Sequence, residues 1–348
     1  MPQLISFTDR GLYCEKGDFY IDPWKPVDKA LITHGHGDHA YFGHKNYLCH
    51  KYTLPILELR LGEQKFQAID WRERLSINGV SVSFHPAGHI IGASQIRVES
   101  KGEVWVVSGD YKVEDDGLSG KFEPVKCNTF ISESTFGLPI YKWKPQEEIY
   151  NDLRDWISRN RENGRTSVLL AYSLGKAQRV IQAIKETTQT IYAHGAIYNM
   201  QQRLIDAGWP ITPVERITID TPRDLLKGAV VMAPPSADGT PWMKKFKPYA
   251  VGVCSGWMQV RGNVRRRNAD AGFALSDHAD WDGLLQSVKA TDAENVFVTH
   301  GFQAAFSRYL NEQGIANAAE VKTKYGIEDE EGAVPADIDN AEAIAKTD

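Results

Sequence analysis

The segment that most constrains this chain lies between Leu31 and Ala40 and reads Leu-Ile-Thr-His-Gly-His-Gly-Asp-His-Ala. Residues 30–32 have the apolar character of a buried strand end, and the two glycines that follow allow a tight turn. We therefore predict a strand that leads directly into a polar loop. A solvated histidine-rich loop is the alternative, but four ligand-type side chains within six positions favour a metal site.

The four polar side chains of this loop suit a divalent metal. His34 and His36 are two residues apart, so both can point to one side of an extended chain. Asp38 and His39 follow the turn and are predicted to open a helix, from which they can reach a neighbouring point. Imidazole and carboxylate groups that converge in this way are typical ligands of zinc.

Three later segments repeat the pattern of a strand that ends at a potential ligand. The residues concerned are His89 in Pro-Ala-Gly-His-Ile-Ile-Gly, Asp110 after the apolar run 103–107, and His300 after the apolar run 295–299. His85 precedes a proline and is expected to be structural. Asp22, which also precedes a proline, is either a turn residue or a carboxylate that orients a ligating imidazole.

The seven ligands can form two metal sites that share one carboxylate. We assign His34, His36 and His89 to one metal and Asp38, His39 and His300 to the other, with Asp110 bridging them. Two divalent cations in such a site can activate water and stabilise in-line displacement at phosphorus. The predicted cofactors are therefore two divalent metal ions, with zinc preferred and manganese as the alternative. Asp38 is counted among the catalytic residues as well.

Length and composition bound the remaining possibilities. A chain of 348 residues is long enough for two domains, or for one domain with a large insertion. It has no long apolar run that predicts a membrane span, and its four scattered cysteines suggest a cytoplasmic protein. Residues 327–348 hold eight acidic residues and one lysine, so we predict a flexible acidic tail there. The rest of the chain carries about two positive charges.

Strand and helix patterns alternate in the middle of the chain. An amphipathic helix is predicted over 145–164, followed by strands near 167–171, 190–193 and 229–233 with helices between them. This alternation indicates a parallel α/β domain over 138–268. Lys176 follows the first of these strands, in a loop that could receive a phosphate at a helix N-terminus.

A basic stretch closes this domain. From Pro241 to Asn268 there are basic residues and no acidic ones: Lys244, Lys245, Lys247, Arg261, Arg265, Arg266 and Arg267. The aromatic residues among them are Trp242, Phe246, Tyr249 and Trp257. Cations that neutralise phosphates and rings that stack on bases are typical of single-stranded nucleic-acid binding. The alternative is a solvated loop whose aromatic residues belong to the core.

Residues 22–110 and 275–301 resemble the metallo-β-lactamase superfamily through the His-x-His-x-Asp-His loop and the later ligands. The long segment between the last two ligands, with Glu133 in Ser-Glu-Ser-Thr-Phe-Gly and His278 in Ser-Asp-His-Ala-Asp, is similar to the β-CASP branch of nucleic-acid nucleases. The resemblance implies an α/β fold, namely a metallo-β-lactamase αβ/βα sandwich with an inserted β-CASP parallel α/β domain. The sandwich would comprise 1–137 and 269–326, and the insertion 138–268.

The resemblance also implies roles for two residues. In that branch the match to Glu133 supports the match to His278, which protonates the leaving oxygen, and both count as catalytic. The segments 254–262, 265–267 and 273–281 further resemble the bacterial ligase-associated DNA exonucleases. This implies an exonuclease that acts in DNA repair on single-stranded or end-frayed DNA, beside a DNA ligase and a helicase.

Three other functions were weighed. A ribonuclease or RNA 3′-end-processing nuclease remains open, because RNA-processing members of the branch also have a histidine at the position of His300. A thioester or lactone hydrolase could use the same metal site, but it needs neither a large second domain nor a basic stretch. A non-enzymatic nucleic-acid-binding scaffold is disfavoured, since such proteins usually lose ligands and all seven are present here.

Overall fold

The computed structural model describes residues 3–260, 262 and 269–324. The predicted acidic tail and four of the predicted nucleic-acid-binding residues, Arg261, Arg265, Arg266 and Arg267, lie outside them. Within the described residues the chain divides into two compact units: one contains residues up to 142 and from 277 onward, and the other contains 143–276. The second unit thus ends later than residue 268, because the strand Ala271–Phe273 pairs with its sheet.

The first unit contains a six-stranded sheet whose strands follow the chain order β1-β2-β3-β4-β5-β6. The strands are Ser6–Phe7 (β1), Leu12–Cys14 (β2), Phe19–Ile21 (β3), Lys29–Leu31 (β4), Asn46–His50 (β5) and Phe66–Ile69 (β6). The short strand β4 is the one predicted to lead into the polar loop. It lies between β3 and β5 and is parallel to both, so its end is fixed on two sides.

A seven-stranded sheet completes the first unit. Its strands are Arg74–Ile77 (β7), Val80–Pro86 (β8), Ser94–Ser100 (β9), Glu103–Val107 (β10), Thr129–Glu133 (β11), Asn295–Thr299 (β18) and Asn317–Glu320 (β19). They lie in the order β19-β18-β11-β10-β9-β8-β7. Strand β18 returns from the far end of the chain and pairs in parallel with β11. This pairing joins segments of the first unit that the second unit separates in sequence.

Apolar side chains from the two sheets form a shared core, with Phe19 and Ile21 from the first sheet and Val82, Phe84 and Ile96 from the second. The outer face of the first sheet is covered by the helix Leu54–Leu61 (α1). The helices Trp281–Thr291 (α6) and Gln303–Glu312 (α7) contact the second sheet. This arrangement is the predicted αβ/βα sandwich.

The second unit contains a six-stranded sheet in the order β14-β13-β15-β12-β16-β17, in which every pairing is parallel. The strands are Thr166–Leu170 (β12), Ile191–Ala193 (β13), Glu215–Arg216 (β14), Val230–Ala233 (β15), Tyr249–Cys254 (β16) and Ala271–Phe273 (β17). The helices are Gln146–Glu162 (α2), Lys176–Ile184 (α3), Gly195–Asp206 (α4) and Arg223–Leu226 (α5). The predicted parallel α/β architecture is confirmed.

The two faces of this parallel sheet are covered differently. Leu169 packs with the apolar sides of α2, α3 and α4, whereas Val168 and Leu170 point to the opposite face, as alternation along a strand requires. The opposite face is covered by α5 and by the 3₁₀ segments Pro235–Ala237, Pro241–Phe246 and Gly256–Gln259. In the part of the chain that the structure describes, no helix is long and apolar enough to cross a membrane.

Candidate metal centre

The potential ligands lie in loops that begin where strands of the first unit end. The polar loop with His34, His36, Asp38 and His39 follows β4, His89 follows β8, Asp110 follows β10, and His300 follows β18. The predicted helix at Asp38 is wrong. The chain instead forms a turn, in which the N–H groups of His39 and Ala40 donate to the carbonyl of His36 at 3.3 and 2.9 Å.

Asp110 lies at the centre of the cluster, and its two oxygens contact different histidines. Oδ2 lies 3.5 Å from Nε2 of His34 and 3.7 Å from Nε2 of His89. Oδ1 lies 3.6 Å from Nε2 of His39 and 4.0 Å from Nε2 of His300. One carboxylate thus faces two pairs of imidazoles, and this division matches the two sets of ligands assigned from the sequence.

The remaining two residues complete the sets. Nδ1 of His36 lies 3.0 Å from Nε2 of His89, and Oδ2 of Asp38 lies 3.8 Å from Nε2 of His39. The structure therefore gathers all seven predicted ligands, in overlapping groups whose ligand atoms lie within 4.8 Å of one another. The groups are His34, His36, His89 and Asp110; His34, Asp38 and His39; and His39, Asp110 and His300.

Hydrogen bonds establish which nitrogen of His34 carries the proton. The Thr33 hydroxyl donates to Oδ2 of Asp22 at 2.5 Å and has no second hydrogen to give. Nδ1 of His34, 3.0 Å from the same hydroxyl oxygen, must therefore be the donor. Because burial lowers the pKa of His34, its ring is neutral and Nε2 presents a lone pair. That lone pair faces a carboxylate oxygen of Asp110.

The same reasoning applies to His89. Its Nδ1 lies 2.8 Å from the carbonyl oxygen of Asp277, which can only accept, so Nδ1 carries the proton. Burial lowers the pKa of His89 as well, and its Nε2 lone pair also faces Asp110. Lone pairs that face one another repel unless a cation lies between them. The chemistry of these residues therefore fits a divalent metal.

Unsatisfied polar atoms support the same fit. Among the described residues, Nε2 of His34 and Oδ1 of Asp110 are buried without a hydrogen-bond partner. Such atoms are costly in a protein interior, and coordination of a cation would satisfy both. Burial raises the pKa of Asp110 to about 7, whereas Asp110 and Asp38 hold the pKa of His39 at about 10 against the opposing effect of its burial. The cluster thus has a strong demand for positive charge.

Asp22 orients one of these histidines from behind. Its Oδ1 accepts the Thr33 N–H at 2.8 Å, and its Oδ2 lies 2.7 Å from Nδ1 of His39. A carboxylate that accepts from one ring nitrogen leaves the other nitrogen aimed at the ligand position. Of the two alternatives for Asp22, the structure thus shows the contact with an imidazole.

Three supporting groups were missed from the sequence: the side chains of Thr33 and Thr299 and the carbonyl of Asp277. Oγ1 of Thr299 lies 3.1 Å from Nδ1 of His300, as Thr33 does from its own neighbour His34. The signal was available, since a Thr-His-Gly tripeptide follows both strands. The carbonyl of Asp277 had no such signal, because every residue carries one.

Two glycines are required for the loops to approach closely. Gly109 and Gly301 have φ angles of 55° and 63°, a region that side chains disfavour. A Cβ on Gly109 would lie 2.7 Å from Cβ of Thr33, and one on Gly301 would lie 2.4 Å from the carbonyl oxygen of Ser134. Any larger residue would therefore push Asp110 or His300 out of position.

A carboxylate–histidine pair lies beside the cluster. Nδ1 of His278 is 2.9 and 3.1 Å from the two oxygens of Glu133. Glu133 also accepts the Tyr111 N–H at 2.7 Å and the Thr135 hydroxyl at 2.5 Å. Burial would raise the pKa of Glu133, but the charge of His278 and these hydrogen bonds lower it, so the side chain is a carboxylate. The rings of His278 and His89 are 4.6 Å apart.

Three lysines predicted to contact nucleic acid lie in different environments. Lys176 is not presented to solvent: it is only 5% exposed, and its ammonium lies 4.7 Å from the centre of the Tyr172 ring. Lys245 donates to the carbonyls of Thr218 and Ile219 at 2.7 and 2.9 Å, whereas Lys244 is exposed.

The aromatic residues of the basic stretch also depart from the prediction. Phe246 is buried in the core of the second unit, because the segment Pro241–Phe246 covers one face of the parallel sheet. Trp242, Tyr249 and Trp257 are partly buried against the same core. The alternative stated above, in which these rings belong to the core, describes Phe246.

Comparisons with known proteins give several relatives, although no family model matches the chain. The chain is 28% identical over 320 residues to a probable DNA ligase from Opitutus terrae, covering 90% of this chain and 31% of that protein. It is 25% identical over 324 residues to RNase aCSPSF2 from Saccharolobus solfataricus, covering 80% of this chain and 62% of that protein. It thus spans less than two thirds of the length of either relative.

A shorter match and a solved structure complete the comparisons. Over 131 residues the chain is 29% identical to Endoribonuclease YSH1 from Yarrowia lipolytica, covering 37% of this chain and 16% of that protein. The crystal structure of a protein of unknown function from Enterococcus faecalis covers 86% of this chain and is covered to 80%, with a TM-score of 0.60 and 12% identity. That likeness concerns the fold alone.

Proposed function

This chain is a homologue of the β-CASP nucleases of the metallo-β-lactamase superfamily, and we propose that it is a metal-dependent hydrolase of phosphodiester bonds. The observation that carries the proposal is the Asp110 carboxylate between two pairs of buried imidazoles, with the Glu133–His278 pair beside it. His34, His36, His89 and Asp110 would hold one cation, and Asp38, His39, His300 and Asp110 the other. Zinc suits these donors best, with manganese as the alternative.

Two divalent cations in this cluster supply charge stabilisation at phosphorus and lower the pKa of water. The chain supplies the proton chemistry. Glu133 accepts from Nδ1 of His278 and favours the protonated ring, so that Nε2 can deliver a proton to the leaving oxygen. Tyr111 and Thr135 keep Glu133 in its ionised form by donating to its oxygens. Asp22 and Thr33 hold the rings of His39 and His34 in their ligating orientations.

We propose DNA as the substrate and removal of nucleotides from an end as the mode of cleavage. The relative that covers 90% of this chain is named a probable DNA ligase, which supports a role in DNA repair beside ligase and helicase activities. The substrate would be single-stranded or end-frayed DNA. All four cysteines are free thiols, as a cytoplasmic location would require.

RNA cleavage is the second candidate, and the comparisons favour it in one respect. Two relatives are named as ribonucleases, RNase aCSPSF2 and Endoribonuclease YSH1. The metal centre contacts phosphate chemistry that DNA and RNA share, and none of the residues assigned to it recognises a ribose hydroxyl.

The second unit and its basic stretch would contribute phosphate contacts. Lys244 is exposed and can take this role as it stands, and we retain Arg261 and the Arg265–Arg267 run in the same role. Changing the three consecutive arginines together to alanine should weaken binding and lower the salt dependence by up to about three phosphate contacts. Binding at several salt concentrations measures this, and an unchanged slope would exclude them as phosphate ligands.

Digestion of matched oligonucleotides tests the proposed substrate. Single-stranded DNA and RNA of the same sequence, labelled at one end, are incubated with zinc or manganese and with wild-type protein or Asp38→Ala. Stepwise shortening of DNA that requires wild-type protein is the expected result. Preferential cleavage of RNA would transfer the protein to the second candidate, and cleavage by the variant at the wild-type rate would contradict the assigned site.

A further inference from the structure

An exposed aromatic ring lies directly after the ligand loop. Phe42 is 68% exposed and is three residues from the ligand His39. Of the five large apolar side chains that are more than a third exposed in the described part of the chain, it is the one with an aromatic ring; the others are Leu59, Ile140, Ile219 and Leu225. Single exposed apolar residues are common on proteins, so its position must be considered as well.

The backbone on either side of Phe42 is firmly held. The Tyr47 hydroxyl donates to the carbonyl of Tyr41 at 3.0 Å and accepts the N–H of His44 at 3.1 Å. Tyr47 is itself 1% exposed, and Nδ1 of His44 accepts the N–H of Val27 at 3.3 Å. These buried contacts clamp the chain one residue before and two residues after Phe42. Its exposure is therefore imposed by an ordered backbone.

The chain length also limits how far the ring can lie from the metal centre. Three residues span at most about 11 Å between Cα atoms, and the turn at His39 and Ala40 shortens this path. Successive bases of a single strand are separated by a few ångströms, so a base close to the scissile phosphate lies within reach. Other aromatic side chains of this region, such as Tyr47, are buried and cannot meet a base.

We propose that Phe42 is a stacking surface for an unpaired base of the strand that enters the metal centre. The inference rests on the proposed function and specifies its substrate as a single-stranded end. Stacking accepts any base, since each has a flat aromatic face, but it requires that the base be unpaired. A frayed or resected end meets this condition, whereas a fully paired blunt end does not.

Substitution of Phe42 tests the assignment through KM. Phe42→Ala should raise KM for a single-stranded oligonucleotide by about 5- to 150-fold with little change in kcat, which is the usual range for one stacked base. Phe42→Trp should restore it. An oligonucleotide with abasic sites near the labelled end should be cleaved equally by wild type and Phe42→Ala. The matched control is Leu225→Ala, which removes an apolar side chain that is 56% exposed and distant in sequence.

A binding measurement separates this inference from the proposed function. A single strand containing 2-aminopurine should lose fluorescence when it stacks on wild-type protein and retain it with Phe42→Ala, whether or not cleavage occurs. Cleavage by wild type with unchanged KM in Phe42→Ala would overturn the stacking role alone. Quenching that depends on Phe42 without any cleavage would overturn the nuclease proposal alone. If wild-type protein neither quenches nor cleaves, both are overturned.

Discussion

Two groups of buried histidines differ in one respect. His34, His39 and His89 lie around Asp110, whereas His44 and His50 lie elsewhere in the first unit. All of them are at most 4% exposed. Nε2 of His50 and Nε2 of His44 have no hydrogen-bond partner among the described residues, as is also true of His34.

The surroundings of the two groups explain their different chemistry. The ring of His50 stacks on Trp71 at 4.3 Å, and Nδ1 of His44 accepts a backbone N–H. Neither joins a group of three potential ligands within the described residues. Burial lowers the pKa of both to about 4, so they are neutral rings of the core. A buried imidazole with an unused nitrogen thus indicates a metal ligand only where a carboxylate and further imidazoles face it.

The largest expected effect is at His39. His39→Ala should reduce hydrolysis to background, because the ring faces Asp110, Asp38 and Asp22 and its loss leaves three carboxylates without the group between them. His44→Ala is the matched control for removing a buried histidine. Rates with end-labelled DNA, compared at equal folded fraction by circular dichroism, measure the difference. Equal loss in both variants would show that burial alone had produced the effect.

His278 should affect the chemical step without affecting the metal. His278→Ala is expected to lower kcat by about 10²–10⁴-fold, the usual contribution of a positioned acid. Its metal content should remain that of the wild type, because its Nδ1 contacts Glu133 in the structure. Single-turnover rates and elemental analysis of the same sample measure both quantities. Loss of metal in this variant would refute the acid role.

Asp22 should have a smaller effect, on metal affinity. Asp22→Asn keeps the size of the side chain but weakens the acceptor that holds Nδ1 of His39, so metal affinity should fall about 10–100-fold. Competition with a chelator of known affinity measures this change. Unchanged affinity would mean that Asp22 serves the local turn and does not tune the ligand.

The smallest effect is expected at His50 and concerns stability. Its pKa of about 4 lies below the value of about 6.5 in an unfolded chain, so between these values the unfolded state binds a proton that the folded state does not. The free energy of unfolding should therefore fall as the pH falls, by about 2 kcal/mol from pH 6.5 to 5 for this ring. His50→Phe should lose this pH dependence and keep its metal, as urea unfolding at both pH values would show. An unaltered pH slope would contradict the assigned pKa.

Much of the centre could be predicted because its ligands follow buried apolar strands. The runs before His34, Asp110 and His300 identify the strand ends, and a sheet brings such ends together. The helix predicted at Asp38 failed because the loop closes with a turn on the carbonyl of His36. The contact between His89 and the carbonyl of Asp277 joins positions 188 residues apart and involves only a main-chain acceptor. No residue pattern reports such a contact.

The basic stretch was harder to interpret for a different reason. Its charge drew attention away from the apolar run that forms the strand Tyr249–Cys254. Net charge shows which partners a surface suits, but not which side chains reach it. Phe246 and Lys176 are buried by the packing of the second unit, and composition could not distinguish them from exposed Lys244.

The most direct test of the central claim is the number of metal ions bound per chain. Wild-type protein loaded with zinc or manganese and freed of excess metal should contain about two ions, and Asp110→Asn should contain fewer, because a weaker acceptor replaces the carboxylate that faces both sets of histidines. Elemental analysis against protein concentration gives both values. A wild-type protein that binds no metal, or a variant that keeps two ions with wild-type affinity, would contradict the account.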